Sequence, residues 1–336
     1  MQIKDKIHLP HSSFKKLKWG ISGCGKFTET SLLPALLKIN KNKIMSVFSH
    51  DLNRAKFVAN KFAVPNAFDN YDEFLQSDFD SLYIGSMNAH HYEQVIKAAN
   101  AGKNILCEKP LALTSEQAFE MYETCKNNNV LFAVNYVNRF HPLVQKTKEL
   151  INNHILGKVV SISVSYNTEF TPDENFRFKK ELSGGGVLRD IGTHMLDLLM
   201  FFGGNIVDIK GYMDNVVYKS EVEDFTSAIV KFENGGYGSF CVSFNTPKAF
   251  NRIEIIGYKG CIAIDNIIGK RGTPSKLTID LKGEGRKAFR NRSSKQLFLL
   301  KSVCHSFLEK ETPLITGYDG YLNLKIMEQL EKSCGI

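Results

Sequence analysis

The sequence predicts an α/β protein in two parts: a doubly wound parallel sheet, followed by an α+β domain built on a large, mainly antiparallel open sheet. Two observations support this fold class. Up to residue 137, short apolar runs alternate with helical segments, as in successive βαβ units. From residue 138 onward, strand candidates follow one another with few helices between them, which is typical of antiparallel pairing.

Length and composition agree with two domains. The chain has 336 residues, of which 43% are hydrophobic, and this is longer than a single core usually extends. We therefore predict a first domain over residues 1–137 and a second over residues 138–336. Seven cysteines occur without Cys-x-x-Cys spacing, which predicts reduced thiols and neither a disulfide framework nor a metal site.

Charge and hydropathy limit the partners. The net charge is +8, but the basic residues are scattered, so no nucleic-acid groove is predicted. Residues Met1–Lys18 are polar and basic without an apolar core, and no apolar run is long enough to cross a bilayer. We therefore expect a cytoplasmic protein with no membrane partner.

The first predicted strand, Leu17–Ser22, runs into a glycine-rich turn. Gly23, Gly25 and Thr28 give a G-x-G-x-x-G pattern with threonine in the third place, where a smaller residue is usual. In a Rossmann dinucleotide fold the first glycine permits the turn and the second lets the backbone approach a pyrophosphate. The candidate cofactor contacts in this turn are Gly23, Gly25, Lys26 and Phe27.

The second predicted strand ends in Ser49-His50-Asp51. An acidic residue at this strand end usually accepts the ribose hydroxyls of NAD, whereas here the first position is Ser49. Asp51 lies two residues later and also suits the N-cap of the next helix. Ser49, His50 and Arg54 could hold the 2′-phosphate of NADP, although Arg54 could equally be a helix-surface charge. The sequence thus favours NADP slightly over NAD.

Two further strand ends carry polar side chains, and in a parallel sheet ligands bind at this edge. Strand Ser81–Ile84 precedes the candidate cofactor contacts Ser86, Asn88 and His91, of which either of the last two could instead only cap the next helix. Strand Asn104–Cys107 precedes Glu108-Lys109-Pro110. Alone, Lys109 would be an ordinary solvated charge; its place between glycine-rich turns upstream and downstream makes it a candidate functional residue.

The second half begins with a strand that alternates strictly over residues 160–166, with Val160, Ile162, Val164 and Tyr166 on one face. One face of the sheet should remain free and is a predicted subunit interface of a homodimer or homotetramer. Residues Gly269–Ser294 are predicted to be a mobile basic loop. The helical segments Leu297–Glu309 and Leu322–Leu330 are expected to pack back on the first domain.

A glycine run, Gly184-Gly185-Gly186, interrupts the second domain and leads into a predicted helix. Asp190, His194 and Asp197 fall at i, i+4 and i+7, so one helical face carries three titratable groups. This pattern equally describes a helix N-terminus with favourable carboxylates and a satisfied histidine. Asp197 lies deepest in the helix and is expected to have a supporting role.

Taken together, these features resemble the Gfo/Idh/MocA family, named for glucose-fructose oxidoreductase and inositol dehydrogenase. The resemblance extends from Lys18 to Ser333 and depends most on the Glu108-Lys109-Pro110 turn and the run from Gly184 to His194. It implies a Rossmann domain that binds NAD or NADP, an oligomerising second domain, and the catalytic group Lys109, Asp190 and His194. Met87 stands where the family commonly has proline.

The resemblance also implies hydride transfer between the nicotinamide and a secondary alcohol or ketone of a sugar, sugar derivative or cyclitol. His194 would be the acid/base, Lys109 would stabilise the reacting oxygen, and Asp190 would contact the substrate or orient the histidine. Glu108 would lie beside the cofactor. Arg177 could bind a substrate carboxylate or phosphate, or belong to a solvated loop.

Two alternatives remain open from the sequence. A branch of the family consists of NAD-dependent glycosidases that use transient oxidation, and nothing in this chain distinguishes it from them. The other alternative is a non-catalytic protein that senses NAD(P), which the intact set of Lys109, Asp190 and His194 disfavours.

Overall fold

The computed structural model describes residues 16–247, 251–268 and 273–335, and its backbone forms two separate sheets. The predicted polar leader before residue 16 lies outside this part of the chain. None of the helices in the described ranges is long and apolar enough to cross a membrane.

The first sheet contains six parallel strands: β1 (Leu17–Ser22), β2 (Asn42–Phe48), β3 (Asn66–Phe68), β4 (Ser81–Ile84), β5 (Asn104–Cys107) and β6 (Phe132–Val134). The helices between them are α1 (Leu33–Leu36), α2 (Leu52–Phe62), α3 (Tyr71–Gln76), α4 (Asn88–Asn100) and α5 (Ser115–Asn127). The strand order is β3-β2-β1-β4-β5-β6, the doubly wound order of the predicted Rossmann fold. The order reverses between β1 and β4, where ligands bind in such sheets.

The central strands formed where the apolar runs predicted them, since β4 and β5 have the predicted bounds. All four residues of β4 are buried, as expected when helices cover both faces of a parallel sheet. The sequence did not predict β3, a three-residue strand at the sheet edge, or the six-residue α3, which is capped by Asn70. Both elements are too short to show a periodicity.

The second sheet contains eight strands: β7 (Val159–Asn167), β8 (Ile206–Asp214), β9 (Phe225–Phe232), β10 (Tyr237–Ser243), β11 (Arg252–Gly257), β12 (Gly260–Asp265), β13 (Ser275–Leu281) and β14 (Gly285–Asn291). Its helices are α6 (Pro142–Asn152), α7 (Lys180–Ser183) and α8 (Thr193–Gly203). The order is β14-β13-β12-β11-β7-β10-β9-β8. Only the pair β7 and β10 is parallel among these neighbours, so the sheet is mainly antiparallel, as predicted.

The two faces of this sheet differ. Helix α8 packs against β7 and β10, and α6 packs against β12 and β13. The opposite face carries small and polar side chains at paired positions, among them Ser163 and Ser239. Val160 departs from the predicted alternation because it lies at a bulge between β7 and β11, and its side chain is 52% exposed.

The prediction of a loop over Gly269–Ser294 is wrong for the described residues 273–294, because β13 and β14 form an antiparallel hairpin there. Residues 269–272 lie outside the described residues. The sequence reading missed β14 because its strand Gly285–Asn291 is almost entirely exposed and rich in arginine and lysine. A charged edge strand of this kind protects a sheet from unwanted pairing and leaves no apolar signal.

Two carboxyl-terminal helices, α9 (Lys295–Glu309) and α10 (Gly317–Ser333), return to the first sheet as predicted. Phe307 of α9 stacks on Trp19 of β1 with ring centroids 5.9 Å apart. In α10, the Glu328 carboxylate accepts hydrogen bonds from the backbone and hydroxyl of Ser115 at the start of α5. The boundary at residue 137 stays a prediction.

Candidate active site and cofactor cleft

The turns after β1, β4 and β5 lie side by side. In the parallel register Ser22 pairs with Ile84, and Ile84 pairs with Cys107, so these three strands end at the same level. The residues that follow, Gly23 and Glu108 among them, are therefore brought together at the carboxyl edge of the sheet, where the sequence predicted a site.

The glycine-rich turn is tight on one side and open on the other. Gly23 has φ +93°, and a Cβ there would lie 2.5 Å from the backbone of Gly85. A Cβ added to Gly25 would meet no atom within 4 Å. Thr28 fits the third place because its buried hydroxyl donates to the Gly23 carbonyl at 2.7 Å. Lys26 and Phe27 between them are exposed.

The end of β2 carries Ser49, which is half-buried, and His50, which is exposed. Asp51 caps α2, since its Oδ1 accepts from the backbone N–H of Asn53 at 2.9 Å. The carboxylate is therefore engaged by the helix. The ring of His50 lies 5.2 Å from that of His90, a residue that the sequence reading did not select.

Arg54 has a different position from the one predicted. Its Nε donates to the Cys24 carbonyl at 2.8 Å, and its guanidinium pairs with Glu29, which also pairs with Lys61 at 2.6 Å. Because Glu29 follows the glycine-rich turn, Arg54 ties α2 to that turn. Its charge is therefore already matched by the Glu29 carboxylate.

Two of the predicted cofactor contacts after β4 are occupied by protein. Asn88 is buried and its Nδ2 donates to the carbonyl of Ser183 at 2.9 Å. His91 is fully buried, with Nδ1 3.0 Å from the Pro110 carbonyl and Nε2 3.2 Å from that of Ser86, and burial lowers its pKa to about 4. Both side chains therefore connect turns instead of facing a ligand.

Ser86 and Glu108 also have protein partners. The Ser86 hydroxyl donates to Gln94 Oε1 at 3.0 Å. The Glu108 carboxylate accepts from the hydroxyl of Tyr83 at 2.8 Å and from the amide of Asn135 on the other side of β5. Burial raises the pKa of Glu108 despite these bonds. Glu108 is thus held within the sheet edge.

Lys109 and Asp190, 81 positions apart, are in direct contact. Lys109 Nζ donates to the Asp190 backbone carbonyl at 2.6 Å and pairs with Oδ1 at 2.9 Å. Arg177 Nε lies 3.3 Å from the other carboxylate oxygen. Burial would raise the pKa of Asp190, but Lys109 and Arg177 outweigh it and hold this pKa below its usual value. Asp190 is therefore an anion between two cations.

The glycine run that precedes Asp190 packs closely against the backbone of Glu223. Gly184 has φ +80°, and a Cβ on Gly186 would lie 2.0 Å from the backbone oxygen of Glu223. The Glu223 carboxylate accepts from the N–H groups of Gly186 at 3.0 Å and Leu188 at 2.9 Å. The predicted single helix is divided in two: residues Leu188–Gly192 form a π-helical turn and α8 follows.

His194 lies one residue inside α8, and its ring Nδ1 is buried with no hydrogen-bond partner among the described residues. Burial lowers its pKa well below the usual value, Lys109 and Lys295 add to this effect, and Asp190 opposes it. The imidazole is therefore neutral near pH 7 and able to accept a proton. The ring of Tyr136 lies edge-on at 6.3 Å.

Asp197 anchors α8, which agrees with its predicted supporting role. Its Oδ1 accepts from Arg139 Nε at 2.9 Å, and Arg139 also donates to Asp319 of α10 at 3.1 Å. Burial raises the pKa of Asp197 to about 6 in spite of Arg139. Sequence reasoning treated Arg139 only as part of a domain boundary, and no local pattern connects it to partners 58 and 180 residues away.

Lys295 and Asn138 were also missed. Lys295 Nζ donates to Asn138 Oδ1 at 2.5 Å and to the Ile267 carbonyl at 3.1 Å. The amide nitrogen of Asn138 is buried without a partner among the described residues. Lys295 follows the segment predicted as a loop, so the sequence offered no signal for it.

The turn residues fit a dinucleotide. The open side of Gly25 would admit a pyrophosphate, which the positive N-terminus of the following helical segment favours. Ser49 and His50 stand where the adenosine ribose of such a cofactor lies. With the neutral His194 and the Lys109–Asp190 pair at the same edge, the fold and site define a nucleotide-dependent oxidoreductase.

Comparison with known proteins identifies the family. Residues 17–136 match the oxidoreductase family with an NAD-binding Rossmann fold, and residues 144–263 match the GFO/IDH/MocA C-terminal domain. The chain belongs to the Gfo/Idh/MocA family. It is an NAD(P)-dependent oxidoreductase, as the sequence predicted.

Two relatives and one solved structure illustrate the match. Oxidoreductase P35 of Formosa agariphila is 30% identical over 74% of this chain and 79% of its own. The trans-1,2-dihydrobenzene-1,2-diol dehydrogenase of Xenopus tropicalis is 27% identical over 95% of this chain and 98% of its own. Levoglucosan dehydrogenase in complex with NADH and levoglucosan superposes with a TM-score of 0.86 at 21% identity, covering 95% and 97% of the two chains. The fold is therefore shared along nearly the whole chain.

Proposed function

We propose that this protein transfers a hydride between the nicotinamide of NAD(P) and a secondary alcohol or ketone of a sugar, sugar derivative or cyclitol. The observation that carries the proposal is the ion pair of Lys109 with Asp190 in the electrostatic neighbourhood of His194, whose buried Nδ1 has no hydrogen-bond partner among the described residues. The diol and levoglucosan dehydrogenases to which the chain is similar support a polyhydroxylated substrate.

His194 is the proposed acid/base. Oxidation of an alcohol needs a group that removes the hydroxyl proton, and the lowered pKa of His194 keeps its ring in the neutral, accepting form. The same ring returns the proton during reduction. The nicotinamide, when bound, would supply the hydride chemistry.

Lys109 is the proposed partner of the reacting oxygen. An ammonium has three donors, and Lys109 directs two of them at Asp190. A third donor is left for a substrate oxygen, whose developing negative charge it would stabilise. Asp190 orients Lys109 and, with Arg177, would contact other hydroxyl groups of the substrate.

For the cofactor, we propose that the glycine-rich turn holds the pyrophosphate and that Ser49 and His50 hold the adenosine ribose. The absence of an acidic residue at position 49 supports a modest preference for NADP. The buried Asn88 and His91 and the half-buried Glu108 would support the cofactor turns from behind, and Ser86 would shape the turn after β4. Lys26 and Phe27 would border the cofactor.

The test is a panel of sugars, sugar acids and inositols assayed at 340 nm with NAD and with NADP. We expect reduced nicotinamide to accumulate with at least one secondary alcohol, and the ketone product to be reduced in the reverse direction. Glycoside cleavage without net NADH would indicate instead a glycosidase that oxidises transiently. Cofactor binding without any turnover across the panel would contradict the proposal.

We further propose a division into the domains 1–137 and 138–336, and a cytoplasmic homodimer or homotetramer joined through the second sheet. All seven cysteines are free thiols, which supports a reducing compartment. The sheet face opposite α8 exposes Ile229 and Tyr237 beside small residues, which supports contact with a second copy.

A further inference from the structure

A second cleft opens beside the proposed site. It encloses about 430 Å³, in the range of small-ligand pockets, and lies between α1, the start of α6 and the segment from β14 to α9. Phe27 of the glycine-rich turn forms one end. None of the residues assigned to the adenosine end of the cofactor, Ser49 to Arg54, lines it.

The charges around this cleft have one sign. Among the described residues that line it, Lys38, Arg292 and Lys295 are cations, and none is aspartate or glutamate. The chain as a whole has 43 basic and 35 acidic residues, so this segregation is local. A concave surface with cations alone concentrates anions.

Lys295 is the most informative of these cations. It is half-buried, and its two hydrogen-bond acceptors, Asn138 Oδ1 and the Ile267 carbonyl, are neutral. No carboxylate within the described ranges forms an ion pair with it. A buried ammonium without a counter-ion is costly, and burial lowers the pKa of Lys295 to about 8. One of its three donors is left unused.

Asn138, which is hydrogen-bonded to Lys295 but is not itself among the residues that line the cleft, adds an independent observation. Its side chain is 1% exposed, Lys295 binds its oxygen, and its amide nitrogen has no partner in the described structure. Buried donors are almost always paired, so this one calls for an acceptor that the protein itself does not supply. Lys295 also begins the 15-residue helix α9, whose N-terminus favours negative charge.

The cleft is electrostatically coupled to the proposed site, since Lys295 contributes to the lowered pKa of His194. Gln296, the next residue, approaches Asn135 at 3.5 Å, and Asn135 binds Glu108 beside Lys109. An anion bound at Lys295 would therefore lie in the electrostatic neighbourhood of His194.

We propose that Lys295, Asn138 and Arg292 form a subsite for an oxyanion, a carboxylate or phosphate group carried by the substrate. The proposal rests on the proposed function and narrows its substrate class to acidic sugars. A neutral sugar would leave the Lys295 charge and the Asn138 amide without partners.

The test compares three probes of similar size, glucose, gluconate and glucose 6-phosphate, by calorimetry with wild type and with Lys295→Met. We expect one or both anionic probes to bind, and Lys295→Met to weaken that binding roughly 10- to 100-fold, as for loss of a charge-assisted hydrogen bond. The pair gluconate and glucose 6-phosphate distinguishes a carboxylate from a phosphate. Lys301→Met, an exposed change in the same helix, is the matched control and should leave binding unaltered.

Arg292→Gln provides a second variant if Lys295→Met fails to fold, because Arg292 is exposed at the cleft. It should weaken binding of the anionic probes in the same direction. Equal binding of glucose and both anions to wild type, or anion binding unchanged in both variants, would overturn the subsite. Turnover of neutral sugars alone would overturn the subsite while leaving the proposed function intact. Anion binding without any turnover would support the subsite and contradict the proposed function.

Discussion

Asp190 and His194 are both half-buried, yet the surroundings leave them in opposite charge states. Lys109 and Arg177 bind the carboxylate and keep it ionised, whereas the imidazole has no bonded carboxylate and loses its charge to burial. A site that pairs a fixed cation with a neutral base is suited to accepting a proton while stabilising an oxyanion.

Replacement of His194 should separate chemistry from binding. We expect His194→Ala to lower kcat by about 10²- to 10⁴-fold, the usual share of general acid/base catalysis, with the Kd of NAD(P) nearly unchanged. His305→Ala is the control, since His305 is an exposed residue of α9. Turnover of His194→Ala near that of wild type would mean that the ring has only a packing role.

The pKa of His194 should respond to Lys109. The Lys109 charge lowers that pKa, so Lys109→Met should move the titration of the His194 ring to higher pH. Since the base must be neutral, the acid limb of kcat/KM for oxidation lies below the ordinary histidine pKa of about 6.5 in wild type and rises in the variant. NMR titration of the imidazole measures this directly, with the exposed Lys126→Met as control. An unmoved titration would place Lys109 too far from the ring to act on it.

The turns after β1 and β2 share one function but differ in how they are held. Arg54 joins the two turns through Cys24 and Glu29, whereas the hydroxyl of the uncharged Ser49 accepts from the backbone N–H of Asp51 at 3.3 Å. We expect Ser49→Asp to reverse the preference for NADP by repelling the 2′-phosphate, and Arg54→Ala to weaken NAD and NADP alike. Fluorescence titration with both cofactors checks this. If Arg54→Ala selectively lost NADP binding, Arg54 would be the residue that binds the 2′-phosphate.

Helix α8 is fixed by a buried charge network that joins three elements. Arg139 bridges Asp197 of α8 and Asp319 of α10, and its side chain is 8% exposed. Arg139→Met would leave Asp197 unpaired, so we expect a loss of about 3–5 kcal/mol in the free energy of unfolding. Arg252→Met removes an exposed ion-pair network and should cost less than about 1 kcal/mol. Urea denaturation measures the free energy of unfolding of both variants. An equal loss in the two would show that the buried network contributes no more to stability than the exposed one.

The elements that could be predicted from the sequence are those in which apolar residues recur at a regular spacing. Strands β4 and β5 and the return of α9 and α10 follow local patterns, whereas the roles of Lys109 and Asp190 stay predictions. The features that were not predicted are contacts between residues far apart in the sequence. Arg139 binds Asp319, which is 180 residues away, and Lys295 binds Asn138, which is 157 residues away. Strand β14 was missed because charged edge positions carry no apolar signal. His91 is held by backbone atoms of neighbouring turns, contacts that no local pattern indicates.

In the whole molecule, the second sheet is covered by α6 and α8 on one face, and its other face carries small and polar side chains. Register places Ile229, Ser239, Ser163 and Glu254 in one row across β9, β10, β7 and β11. Ser163 and Ser239 contact each other at 2.9 Å, and Ile229 is 62% exposed. Small side chains let a second sheet approach to the usual packing distance of about 10 Å.

This face should therefore join subunits. We expect wild type to elute as a dimer or tetramer in size-exclusion chromatography with light scattering, and Ile229→Glu or Ser239→Arg to shift it to monomer. Leu37→Glu is the control, because Leu37 is a comparably exposed apolar residue after α1, away from the second sheet. A monomeric wild type, or an oligomer that persists in both sheet variants, would show that subunits do not meet there. Because Lys109 and Asp190 pair with each other within one chain, the monomeric variants should retain cofactor binding.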